Sequence, residues 1–145
     1  MKSYFSNKGS VLVFALIVLA FSLISALSVA VISTTEMRSS FATEKSSRSF
    51  QVADSGAEVV LQKIYKGNFA DLNALAAAAG NTCSNGVITG SILSDGTYKV
   101  FLYDYLDVQL NDCSDGSWRS KVARLKSEGA SSNTIRAVEV AIAAQ

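Results

Sequence analysis

The 145-residue chain reads as an α+β protein, in which a long N-terminal α-helix, membrane-spanning in its first half, carries a small antiparallel β-sheet head. Three observations predict this class. No charged residue occurs from Ser10 to Thr35. Proline is absent from the whole sequence, so nothing forces a break in a long helix. Beyond residue 80, NG, TG and two DG pairs alternate with short runs such as Tyr98, Val100 and Leu102 (or Phe101, Tyr103 and Tyr105), which is hairpin chemistry.

The core of the first segment, VLVFALIVLAFSLISALSVAVI, is apolar except for isolated serines. At about 1.5 Å per residue, roughly 22 residues cover the hydrocarbon core of a bilayer, about 30 Å thick. The stretch ahead of it, MKSYFSNKG, holds Lys2 and Lys8, and the positive-inside rule keeps such a flank in the cytoplasm. The C-terminal head is then delivered outside. Length and charge alone equally describe an uncleaved signal anchor. Ser28-Val29-Ala30 also offers a small-x-small site for a conventional signal peptidase, although the run exceeds the usual h-region of about 7–15 residues.

After the apolar run, Phe50, Ala53, Ala57, Val60 or Leu61, and Ile64 recur at spacings of three and four, which predicts one helix face packed against the head. Arg48, Asp54, Glu58, Gln62 and Lys66 fall largely elsewhere. Lys66 followed by Gly67 predicts the helix end, with a C′ glycine. An unbroken helix from Ser10 to Lys66 would be roughly 85 Å long. Serines and threonines between Ser33 and Ser49 compete for backbone hydrogen bonds, and predict a hinge or melted turn there. The expected organisation is a leader over 1–9, a membrane helix over 10–35, an amphipathic continuation over 36–66 and a head over 67–145.

Two local patterns resemble known families. Lys8-Gly9 directly before Ser10 and the apolar run resembles the prepilin-type leader, cut on the cytoplasmic side after a glycine. That resemblance makes Gly9 and Ser10 the cleavage pair and Ser10 the N-methylated mature N-terminus. FQVADSGAEVVLQKI, residues 50–64, is similar to the segment after the membrane helix in PilX-type minor pilins and in the K-type pseudopilins of type II secretion. Ala53, Asp54, Ser55, Gly56, Ala57, Glu58 and Leu61 fall on the family pattern A-x-A-E-S/A-G-x-E-x-A-L, with aspartate in place of the usual glutamate. Leader, apolar run and motif cover about the first 65 residues.

The resemblance implies a structural subunit processed by prepilin peptidase. It would be handled by an inner-membrane assembly platform and assembled with other pilins or pseudopilins through their N-terminal helices, into a type IV pilus or a related filament. Phe14 stands at the fifth mature position, where most of the family has glutamate, and Val31 stands where proline is common. K-type pseudopilins also lack that glutamate and are thought to sit at the tip, so Phe14 points from a shaft subunit towards one that initiates or caps. The small residues Ala15, Ala20, Ala26 and Ala30, with Ser22 and Ser25, allow helices to approach closely, and with Phe14 they form the expected packing set.

In the head, NFADLNALAAAAG predicts a short helix ended by Gly80. Three or four antiparallel strands are expected, two of them over 122–126 and 134–140 with SEGASSN as the loop between. The only cysteines, Cys83 and Cys113, predict a structural disulfide in an exported chain. It would join the loop before the first strand to the loop after the second and contribute about 3–4 kcal/mol on a chain-entropy model.

Histidine is absent, which removes the usual acid/base and the commonest zinc ligand. Without it only a Ser-Lys nucleophile is conceivable, and no spacing singles one out; there is no Gly-rich phosphate loop either. Neither an enzyme nor a cofactor is expected. Asp104, Asp107, Asp112 and Asp115 beside Asn111 offer oxygen ligands for calcium, with Asp112 and Asp115 foremost, but not at EF-hand spacing; solvated turn carboxylates are the ordinary case. Arg119, Lys121, Arg124 and Lys126 beside Trp118 could form a DNA-contacting strip, whereas such charges more often line the wet face of a strand. A net charge of +1 argues for no polyanionic partner. The rival from another class is a single-pass anchored binding domain that does not polymerise.

Overall fold

The computed structural model describes residues 8–92 and 96–142, with side chains from residue 11 onward. Helix α1 runs Lys8–Lys66 and is followed by α2 (Leu72–Ala78), β1 (Thr82–Ser84), β2 (Val87–Ile92), β3 (Gly96–Asp104), α3 (Trp118–Lys121), β4 (Val122–Ser131) and β5 (Thr134–Ala141). The strands form one antiparallel sheet in chain order, β1-β2-β3-β4-β5, so the protein is α+β. Five strands are present among the described residues, rather than three or four. The chain divides into two compact units, residues 1–42 and 43–145.

In the first unit every side chain of α1 from Val11 to Ala42 is exposed. Residues 33–49 are helical throughout, with no melted turn among them. Hydroxyls there bond back into the helix instead of competing with it: Thr34 and Thr35 both donate to the Val31 carbonyl, and Ser49 donates to that of Lys45.

In the second unit the rest of α1 lies on one face of the sheet. Val52, Ala53, Ala57, Val60 and Ile64 are buried against Ile88, Tyr98, Val100, Leu102 and Leu125, and α2 adds Leu72, Leu75 and Ala76. Phe50, expected on this face, is 51% exposed, whereas Ser49 is fully buried. The buried stripe runs through 49, 53, 56, 57, 60 and 64, and its centre lies about 70° of helical turn away from Phe50, which stands beyond its margin. Leu61 is half-buried at its margin.

α2 is capped at both ends. The Asp71 carboxylate accepts from the Ala74 N–H at 2.7 Å. Gly80, at φ +72°, closes a Schellman motif in which Asn81 N–H reaches Ala76 O and Gly80 N–H reaches Ala77 O. α1 ends at Lys66 as expected, but Gly67 is not left-handed; its N–H bonds Lys63 O, and its carbonyl accepts from the Arg119 guanidinium.

Two-residue turns with positive φ at both positions connect β1 to β2 (Asn85-Gly86) and β4 to β5 (Ser132-Asn133), the geometry that suits strand twist. SEGASSN is therefore mostly strand. Ser127, Gly129 and Ser131 of β4 alternate towards α1 as buried small residues, and only Ser132-Asn133 turns. The Cys83–Cys113 disulfide is formed, with Cα atoms 6.1 Å apart. Cys83 lies within β1 rather than in the loop before it.

Candidate functional site

Two stretches of α1 carry the residues that the sequence singles out. Of the leader, residues 1–7 lie outside the described residues, and the Gly9 and Ser10 backbone belongs to the first turn of α1. From Val11 the helix is apolar on all sides, long and hydrophobic enough to cross a membrane, with none of that surface buried in the chain. Two of its serine hydroxyls bond back into the helix. Ser25 donates to Phe21 O and Ser28 to Ile24 O, each at 2.9 Å, which is the condition hydrocarbon imposes on a spanning segment. At about 100° per residue, Ala15, Ser22, Ala26 and Ala30 share one flank, with Ser22, Ala26 and Ala30 at the small-xxx-small spacing that permits close helix contact. Ala20 falls on nearly the opposite side and does not join that flank. Phe14 is exposed and also lies off that flank, about 115° from its centre.

The second stretch is the seam between α1 and the sheet, where backbones nearly touch. A Cβ on Gly129 would stand 2.2 Å from Ala53 N and 2.3 Å from Ser49 O. One on Gly56 would meet the Tyr98 ring at 2.6 Å, and one on Gly96 would meet Val52 at 2.6 Å. The Ser49 hydroxyl crosses this seam to Thr134 O at 2.9 Å. Nearby, Arg136 Nε donates to Ser46 Oγ at 2.8 Å. Ser49, Gly96 and Gly129 were not legible as site residues. Their signal is the alternation of small residues at 127, 129 and 131 opposite the small residues of the helix.

The opposite end of the head is braced by charge. The Arg119 guanidinium reaches Gly67 O at the end of α1 and lies 5.3 Å from the centroid of the Trp118 ring, which is fully buried. Arg124 pairs with Asp107 and with Glu139, and stacks over Tyr103; Lys126 pairs with Glu128, which raises the Lys126 pKa. Lys121 bonds Asp115, and that bond, with those from Ser117, holds the Asp115 carboxyl down at about 2. The four cations of the supposed DNA strip are thus engaged within the chain, and its aromatic residue lies in the core rather than at the surface.

The aspartates do not converge on a cation site. Asp104 accepts from the Leu106 and Val108 N–H groups, and Asp112 accepts from that of Ser114. Among the described residues no three His, Cys, Asp or Glu side chains are grouped to hold a metal. Asp104, Asp112 and Asp115 shape turns: each takes up a backbone N–H that a loop would otherwise leave unpaired.

Comparisons of the chain with protein-family models, with curated proteins and with solved structures find no match.

Proposed function

We propose that the chain is a structural subunit of the pilin or pseudopilin kind, anchored in a membrane by residues 10–35, cut between Gly9 and Ser10, and assembled into a filament by packing α1 against the same helix of neighbouring subunits. The observation that carries this reading is the first half of α1. It is apolar all round, has the Ser25 and Ser28 hydroxyls bonded within the helix, is exposed along its described side chains, and bears a small flank at Ser22, Ala26 and Ala30. In lipid such a helix is content, and against like helices the small flank lets backbones approach. The head is rigidly tied to the second half through the Gly129 and Gly56 contacts, so a pull on the helix is transmitted to the head. Phe14, apolar where an assembling shaft subunit would place a carboxylate, fits a subunit that starts or ends the array.

Mass spectrometry of the protein from its native membranes tests the reading. A methylated Ser10 N-terminus is expected. An intact Met1, or a start at Val31, overturns it in favour of an anchor that is not processed for assembly.

A further inference from the structure

The two ends of the head differ in shape and in sign. β3 starts at Gly96, beside Val52 of α1, and ends at Asp104, so the turn that follows it stands at the Lys66 end of the head. There residues 104–107 form a tight turn: the Asp107 N–H donates to Asp104 O, and the Asp104 carboxylate accepts from the Leu106 and Val108 N–H groups at 2.8 and 2.9 Å. Tyr105 and Leu106 occupy its two central positions, 76% and 70% exposed, with Val108 exposed beside them. The core beneath is filled by Leu102 and Leu110, so the fold does not need these three apolar side chains. The bonds to Asp104 fix the loop already, and little ordering is left to be done on binding.

At the other end, α1 and the adjoining ends of β2 and β3 enclose a cleft of about 140 Å³, lined by Arg48, Gln51, Val52, Ser55, Ile92 and Gly96. Val52 and Ile92 give it apolar walls. A space of about 150 Å³ holds a benzene-sized group, so this one takes a single branched aliphatic side chain. Residues 104–112 carry Asp104, Asp107 and Asp112 and no cation, whereas the one charged residue of the cleft is Arg48, which is also engaged within the chain.

We propose that Leu106 of one copy seats in this cleft of a second copy, so that heads join end to end. The chain carries both halves of the contact: a fixed apolar tip with an acidic surround, and an apolar cleft of side-chain size with a cation in its lining. Burying the tip removes Leu106 from water against Val52 and Ile92, and the opposite signs favour the approach.

Pairing of two loops with each other is disfavoured, because both are convex and both carry carboxylates. Loop and cleft are different surfaces, so the contact is heterologous: each pair leaves a loop free at one end and a cleft free at the other, and further copies can follow in the same sense. The nine residues of β3 lie between cleft and loop, roughly 30 Å at 3.3 Å per residue, which sets the step between copies. In one membrane plane the heads stand level, so the contact forms only when one copy is raised past another. That consequence rests on the proposed function, as does its corollary that Phe14 marks a short run of copies at the filament end rather than a single one.

Paired cysteines in native cells test the proposal. Leu106→Cys in one full-length copy and Ser55→Cys in a second, each with its own tag, are co-expressed and oxidised with diamide, with the Cys83–Cys113 pair kept. A disulfide-linked heterodimer is expected, several-fold more abundant than when Ile135→Cys replaces Ser55→Cys. With Val108→Cys as the cross-linking position instead, Leu106→Ser should lower the yield about tenfold while Trp118 emission stays unchanged. Preparations that hold both variants and give no heterodimer, or no more than the Ile135→Cys control, overturn the proposal even where Ser10 is methylated. An excess of homodimer through position 106 assigns the loop to a two-fold contact, and an adduct with a different protein assigns it to another subunit; either result overturns the seat in a second copy. A heterodimer formed by chains with an intact Met1 keeps the end-to-end contact and sinks the filament reading alone.

Discussion

Residues 11–42 and 43–66 belong to one helix, yet they bury their surface by opposite means. The first stretch presents Leu, Val, Ile and Phe in every direction, and each of its side chains is exposed. The second spends its contact face on Ser49, Ala53, Gly56 and Ala57, and gains a backbone-to-backbone approach to β4 and a seat for the Tyr98 ring of β3 on Gly56, both of which larger residues would forbid. Bulk without a partner points to surroundings that the chain does not supply. Small residues opposite small residues point to a partner already in place. The side chains of a helix thus report whether its neighbour is internal or external before the neighbour is known.

The comparison can be broken most severely at the disulfide. Replacing Cys83 and Cys113 by serine should cost the head about 3–4 kcal/mol, read as a lower urea midpoint by Trp118 emission, while helicity of residues 11–42 in micelles stays unchanged. Next in size, Leu23→Arg should disfavour membrane insertion by about 3 kcal/mol in an insertion assay, and leave the unfolding midpoint of the head where it was. Gly129→Ala forces a methyl group against Ala53 and Ser49, and a loss of about 1–3 kcal/mol is expected in the same urea titration. Leu23→Ala, at an exposed position, should change head stability by less than about 0.5 kcal/mol; a larger change would mean that the first stretch leans on the head after all.

The smallest effect concerns Asp115. Its folded pKa, about 2, lies below the ordinary 3.8, so its contribution is present above pH 3.8 and is lost as pH falls through about 2. NMR titration should place the midpoint near 2 and show it rising towards the ordinary value in Lys121→Ala. An unchanged midpoint in that variant would remove Lys121 as the main cause.

Much of this was legible from residues alone, for reasons that differ by element. The α+β class, the long helix, its end at Lys66, the helix closed by Gly80 and the cysteine pair each follow from a local rule that tertiary packing did not override. Phe50 misled because periodicity favours the largest apolar residue, whereas a close helix-to-sheet contact selects the smallest. SEGAS read as loop for the same reason: its serines and glycine are there to let α1 approach. Trp118 sat among cations and looked superficial, but α3 turns it inward and Arg119 folds over it. For the candidate site the small flank at Ser22, Ala26 and Ala30 could be read, since it needs only helical spacing. What covers it could not, because among the described residues that flank stays exposed.

The order of strands in the sheet is also their order in the chain. Every pairing joins consecutive strands, which keeps contacts short in sequence and loop-closure costs low. A chain that crosses a membrane with its C-terminal part last can therefore lay down its sheet one strand at a time on the α1 face that precedes it, never waiting for a distant segment. In the export proposed above, Cys83 leaves first and Cys113 follows after β3, so oxidation can seal the first three strands before β4 and β5 arrive. The last strand to be delivered is the one whose outer edge stays open.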